Sequence, residues 1–186
     1  MPKLSDYILT ADQVLDAETC RELIDLFEKQ SSAKRANGAG VRAGLEESAW
    51  TELDLARAKV PALQAKLLAC ARHVHAGYGT AVNLGLPLPQ PKRYAEWVIK
   101  RYLPNGKERF QTHFDAVNEV SNRYLVYLWY LNDVDEGGET VFPDIGLQVA
   151  PKAGRLLMFP PYWMYQHGGL PPRSGPKYIL STYALF

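Results

Sequence analysis

Cysteine is scarce in this chain: Cys20 and Cys70 are the only two among 186 residues. Both fall within helical patterns, offer neither metal spacing nor a disulfide framework, and read as reduced core thiols. Long apolar runs are missing as well, none approaching the ~20 residues that cross a bilayer. Met1-Pro2-Lys3-Leu4-Ser5-Asp6 lacks the charged-then-apolar order of a signal peptide, so the expectation is a soluble, cytoplasmic protein without a membrane partner. No charge of one sign dominates, with 21 Lys plus Arg against 20 Asp plus Glu, which excludes an overall field favouring nucleic acid. Partner choice must then be local. Linkers and repeats are absent too, and 47% hydrophobic with 22% charged residues suits one domain, 1–186, with a full core. Nothing in the sequence fixes an oligomeric state.

The first 93 residues read as helical support with a loop. Thr10-Ala11-Asp12-Gln13 has the form of a capping box, with Asp16 a second candidate cap. Leu15, Cys20, Leu23, Ile24 and Phe27 then recur at helical spacing, opposite Glu22, Asp25, Glu28 and Lys29. From Ser31 to Trp50 the pattern dissolves into Ser, Gly, Ala and charge. The glycines fit no phosphate-binding motif, so the stretch reads as a flexible loop, in the role of a lid, with Arg35 and Arg42 as candidate substrate contacts or plain solvated arginines. Pro61 opens a helix to about Gly77, carrying Leu63, Leu67, Cys70 and Val74 on one face. His73 and His75 lie roughly 200° apart around that helix, cannot share a metal, and read as surface or boundary residues. The Pro- and Leu-rich stretch from Asn83 to Arg93 bridges the helical layer to the sheet.

Residues 94–186 change to strand periodicity. Runs at 96–103, 112–116, 123–132, 140–142, 147–150, 155–159, 165–168 and 177–185 are punctuated by Gly, Pro, Asn and Asp. Short strands behind two helices fit a mainly β protein with flanking helices: a double-stranded β-helix, the jelly-roll or cupin-like barrel.

Within this half the chemistry gathers at His113 and Asp115. Two residues apart on an extended strand, their side chains leave the same face. A distant third ligand, His167, completes two imidazoles and one carboxylate, the facial set that leaves positions open on a non-heme Fe(II). His-x-Asp alone is weak; the downstream His167-Gly168-Gly169 and Lys177 raise its weight, because a cation there suits a dicarboxylate. Alternation puts Ser181 and Tyr183 on the face of Lys177, and groups Arg123, Leu125, Tyr127 and Trp129, which makes Arg123 and Trp129 candidates for the same cavity. A plain core face is the competing reading for most of these.

The chain resembles the Fe(II)/2-oxoglutarate-dependent dioxygenases, and within them the prolyl 4-hydroxylase-like branch. Arg101-Tyr102-x-x-x-Gly106, His113-x-Asp115, Tyr130-Leu131-Asn132-Asp133-Val134, Gly137-Gly138-Glu139-Thr140-Val141-Phe142-Pro143, Pro151-Lys152-x-Gly154, His167-Gly168-Gly169 and Lys177-Tyr178 carry the resemblance. It is strong from Ala95 to Phe186 and present only in outline before that. The resemblance implies the double-stranded β-helix fold, Fe(II) held by His113, Asp115 and His167, and 2-oxoglutarate and O2 as co-substrates, with ascorbate as a further reductant. It implies that Lys177 meets the distal carboxylate of 2-oxoglutarate, that Tyr102 donates to the same co-substrate, and that Arg123 and Tyr183 meet a peptide; alternation adds Ser181 beside Lys177 and Trp129 to the substrate cavity. Many relatives have Tyr where this chain has Phe110, and related halogenases have a small residue in place of Asp115. The implied activity is hydroxylation of an unactivated C–H, foremost of peptidyl proline, releasing succinate and CO2. A free amino acid or other small molecule as substrate is one alternative; a non-catalytic binding module on the same fold is another. A zinc hydrolase on the same ligands has no use for Lys177.

Overall fold

Asp16, not the Thr10–Gln13 box, starts the first long helix. In the computed structural model, which describes residues 2–41 and 43–186, the Asp16 carboxylate accepts from the Thr19 amide at 2.6 Å and from its hydroxyl at 2.8 Å. Thr10 and Ala11 belong instead to a strand, β1 (Leu9–Ala11), and Gln13 has a left-handed backbone with φ 58°. Helix α1 (Ala17–Lys29) buries Cys20, Leu23 and Phe27 of the expected stripe together with Thr19, and leaves Ile24 half-buried. The 31–50 segment is more ordered than its composition suggests: β2 (Arg35–Gly38) pairs with β3 (Ala49–Asp54) as an antiparallel hairpin. Arg42 lies outside the described residues. A short helix α2 (Leu55–Ala58) comes next, and α3 (Pro61–Ala81) begins on its proline and runs past Gly77.

The remaining strands are β4 (Arg93–Tyr94), β5 (Val98–Tyr102), β6 (Phe110–His113), β7 (Arg123–Tyr130), β8 (Thr140–Phe142), β9 (Leu147–Val149), β10 (Leu156–Phe159), β11 (His167–Gly169) and β12 (Lys177–Leu185). Each expected strand is present, with ends displaced by up to three residues. Among the described residues, they form two antiparallel sheets, a major one in the order β1-β10-β7-β12-β5-β3-β2 with β4 beside β12, and a minor one in the order β6-β11-β8-β9. This is the double-stranded β-helix, and the segment expected to be helical support contributes β1, β2, β3 and β4 to its major sheet.

Both faces of the major sheet are covered. Leu125, Tyr127 and Trp129 of β7 and Leu180 and Ala184 of β12 face the helices, packing with Leu23, Phe27, Leu67 and Ile99. Val126, Leu128, Tyr130 and Ile179 face the minor sheet, packing with Phe142, Leu157 and Phe159. Trp129 is therefore not a cavity residue: it is fully buried on the helical side and stacks on Trp97 at 5.7 Å. Arg123 escapes that side because the β7/β12 register slips between Ala184 and Leu185, skipping Tyr124 and shifting the phase of the first residue.

His75, expected near the helix surface, is also buried. Nδ1 meets the Tyr127 hydroxyl at 2.6 Å and Nε2 the Pro89 carbonyl at 3.0 Å, tying α3 to both the sheet and the connector. Gly154 performs a similar task for the N-terminal segment. Its carbonyl accepts from Val14 and Leu15, its φ is +77°, and a Cβ there would meet the Leu15 oxygen at 2.3 Å.

Trp129→Ala is expected to lower the unfolding free energy by about 3–5 kcal/mol through the cavity it leaves. Urea denaturation measures this, and a loss under about 1 kcal/mol contradicts the buried placement.

Candidate active site

The triad is assembled by the pairing of two short strands of the minor sheet. β11 lies antiparallel to β6 with His167 directly opposite His113. Gly168 permits the approach, since a Cβ there would come within 3.0 Å of the Phe110 carbonyl. Asp115 arrives differently from the sequence expectation. β6 ends at His113, and Asp115 sits in a bend beyond it, its amide donating to the Pro161 carbonyl at 2.9 Å. One ligand atom from each of His113, Asp115 and His167 lies within 4.8 Å of the others, an arrangement that could hold a metal ion.

Local hydrogen bonds orient the donors. His113 Nδ1 meets the Gln111 carbonyl at 2.8 Å and His167 Nδ1 meets the Tyr165 carbonyl at 3.1 Å. A ring donating through Nδ1 keeps its proton there and presents Nε2 as a lone pair. His113 also lies flat against Phe110, centroids 3.8 Å apart, so Phe110 packs the imidazole. Burial pushes His167 down to about 4, leaving it neutral at neutral pH. Burial alone would raise the Asp115 carboxyl, but the two imidazoles and Lys100 outweigh it and hold the group below the usual carboxylate range. Asp115 Oδ2 is buried without a hydrogen-bond partner, 3.4 Å from His167 Nε2. A buried, ionised oxygen without a donor is costly unless a cation meets it.

In the recess that the triad lines, Lys177 repeats the problem with opposite sign. It is 2% exposed, and its ammonium faces the rings of Tyr102 and Tyr130 at 5.3 and 5.7 Å. No carboxylate forms an ion pair with it among the described residues; Glu139 acts only at longer range. Burial, reinforced by Lys100, pushes it down to about 7. Gly138 and Gly169 leave it room: a Cβ on Gly138 would meet the Lys177 stem at 3.3 Å, and one on Gly169 would lie 3.6 Å from Nζ. Tyr102, Ser181 and Thr140 line the same recess, together with all three triad residues.

This recess adjoins a wider cavity of about 540 Å³. Its walls include Arg123, Ser181 and Tyr183 beside Asp115, and farther along the same sheet Lys100 of β5, Trp50 and Glu52 of β3 and Arg35 of β2. Arg35 does reach this wall, but its guanidinium is held by Glu52 at 2.7 Å. Glu52 also accepts from Trp50 Nε1 at 2.8 Å. Of the residues singled out in the sequence, His113, Asp115, His167, Lys177, Tyr102, Ser181, Arg123 and Tyr183 converge here, and Trp129 does not. Lys100, Glu52 and Trp50 were missed. Lys100 precedes Tyr102 by two residues on β5 and shares its face, so strand alternation was signal enough.

Residues 97–185 match the family described as the 2OG-Fe(II) oxygenase superfamily. Over 83 residues the chain is 37% identical to "Probable prolyl 4-hydroxylase 11" of Arabidopsis thaliana, covering 40% of this chain and 28% of that protein. The chain spans well under half the length of this relative and of a second from the same plant, 31% identical, of which it covers 36%. Its fold matches a viral collagen prolyl hydroxylase from Paramecium bursaria Chlorella virus-1 solved with 2OG, at a TM-score of 0.66 and 20% identity, over 95% of this chain and 94% of the other. It also matches a Trichoplax adhaerens prolyl hydroxylase in complex with a hypoxia inducible factor peptide fragment, at 0.75 and 16%, over 97% and 84%. Every residue of the triad, and Lys177, falls inside the stretch that matches the 2OG-Fe(II) oxygenase superfamily.

Proposed function

We propose that this chain is an Fe(II)- and 2-oxoglutarate-dependent dioxygenase, a prolyl 4-hydroxylase acting on peptidyl proline. The observation that carries the reading is a pair of unmet charges in one recess: the partnerless Asp115 Oδ2 between two imidazoles, and the buried Lys177 ammonium that no carboxylate pairs. The first asks for a cation bound by nitrogen and oxygen donors, the second for an anion. Fe(II) and the dicarboxylate 2-oxoglutarate satisfy both. The prolyl substrate is supported by the names of the relatives, and a peptide by the one bound to the Trichoplax neighbour.

His113, Asp115 and His167 hold the iron in this reading, and Lys177, with Tyr102 and Ser181 beside it, receives the distal carboxylate of 2-oxoglutarate. Bound Fe(II), with 2-oxoglutarate and O2, supplies the oxidation that hydroxylates a C–H bond and yields succinate and CO2. The chain itself binds and orients. Nδ1 contacts to the Gln111 and Tyr165 carbonyls keep both imidazoles in the donating tautomer. Phe110, Phe142 and Phe159 pack around the His113 and His167 rings and keep water from them. The 540 Å³ cavity admits the substrate beside Asp115, between the Arg123–Tyr183 wall and the β2–β3 hairpin.

Anaerobic titration with Fe(II) and then 2-oxoglutarate tests the cofactor site through the visible charge-transfer band, and oxygen incorporation into a proline-rich peptide tests the substrate. Asp115→Ala is expected to abolish succinate formation; wild-type rates in that variant sink the assignment. Turnover of free proline but not of the peptide replaces the peptidyl substrate by a small molecule.

Lys177 gives a pH prediction. Its folded pKa near 7 lies below the ordinary lysine value, so the neutral amine dominates above pH 7, whereas a bound dianion requires the ammonium. Binding therefore takes up a proton above pH 7, and 2-oxoglutarate affinity falls by up to about tenfold per pH unit there. Calorimetry in buffers of different ionisation heat reads the proton uptake. Lys177→Arg, charged throughout, flattens the profile; an unchanged slope excludes Lys177 as the anchor.

A further inference from the structure

Asp115 has no strand to orient it. β6 stops two residues earlier, and the bend beyond it is held by contacts from other elements. Its amide donates to the Pro161 carbonyl at 2.9 Å, and its carbonyl accepts from Arg123 Nη1 at 3.2 Å. The carboxylate is fixed from β12: the Tyr183 hydroxyl donates to Oδ1 at 2.9 Å. Arg123 lies over the Tyr183 ring, its guanidinium carbon 3.8 Å from the centroid, so one side chain steadies both the backbone of Asp115 and the tyrosine that grips its carboxylate. Amide, carbonyl and Oδ1 are thus all engaged. Oδ2, buried and without a hydrogen-bond partner, is the remaining polar atom of the residue.

We propose that Tyr183, steadied by Arg123, is a positioning residue that holds Oδ1 of Asp115 and so selects Oδ2 as the oxygen presented to the metal. The inference rests on the triad being an iron site. It assigns Tyr183 and Arg123 work on the metal side of the cavity wall, in addition to any contact with substrate. A carboxylate turning about its last bond can offer either oxygen, or both; a donor on one of them stops that rotation and lowers the basicity of that oxygen. Loss of such an outer contact weakens metal binding by about 10–100-fold.

Tyr183→Phe removes only the hydroxyl and keeps the ring beneath Arg123. Anaerobic Fe(II) titration of the full chain, without peptide, is expected to give a Kd raised about 10–100-fold in this variant. The melting temperature of the metal-free protein should stay within a few degrees of wild type. Arg123→Met should weaken Fe(II) in the same direction by a smaller factor. Unchanged Fe(II) affinity in Tyr183→Phe, with a raised peptide KM, overturns the proposal and leaves the tyrosine a substrate contact. A wild-type protein that binds no Fe(II) fails earlier, at the family activity itself, and so the two failures are distinguishable. A lowered metal-free melting temperature with intact Fe(II) affinity would reduce Tyr183 to a packing residue and overturns the proposal equally.

Discussion

The site depends on one cross-strand pair, His167 opposite His113. The β-ladder brings the two imidazole centroids within 4.3 Å, and burial favours the neutral form of His167. Everything else is arranged around that constraint. Glycine at position 168 lets the strands approach, Phe110 and Phe159 fill the space beside the rings, and the bend beyond His113 swings Asp115 in as the anionic member. Shifting β11 by one residue would place Gly168 opposite His113 and turn His167 to the other face, dismantling the triad without changing a residue.

Much of the catalytic half was legible because strand alternation is a strong signal when one face is polar. Lys177, Ile179, Ser181 and Tyr183 lie on the inner face of β12, as their spacing requires, with Lys177, Ser181 and Tyr183 at the cavities and Ile179 in the packing between the sheets. The same reasoning misled at Trp129. A slip in the β7/β12 ladder adds one residue at Tyr124 and reverses the phase, so Arg123 and Trp129, six residues apart, face opposite layers. Nothing local marks such a bulge; it is set by the partner strand. The rule that joined His113 to Asp115 reached the right residues through the wrong local structure, since the second lies past the strand end.

The N-terminal half was harder for a physical reason. Arg35–Gly38 forms an edge strand, where a polar Arg-Ala-Asn-Gly sequence is tolerated because one side faces no neighbour. Its composition is that of a loop. Ala49–Asp54 packs on both faces with a burial pattern that alternates only in part, so neither period stands out. His75 was misplaced because a helix wheel shows which residues share a face and says little about what packs there; Tyr127 and Pro89 are remote in sequence.

The hairpin of β2 and β3 divides labour along the chain. All the donors proposed for iron, and the lysine proposed for the co-substrate, lie within residues 97–185, whereas Arg35, Trp50 and Glu52, farther along the wall of the outer cavity, come from a hairpin encoded before them. Glu52 stands directly across the ladder from Lys100, Trp50 packs on Phe110 at 4.6 Å, and the Gln111 amide donates to Ser48 Oγ at 3.0 Å, so the hairpin also braces the strand that carries His113. Admission and reaction are in this sense coupled: Trp50 reaches the His113 ring through Phe110, and Ser48 through Gln111, whereas the outer edge of the hairpin at Arg35 is the part that can be rewritten for new clientele.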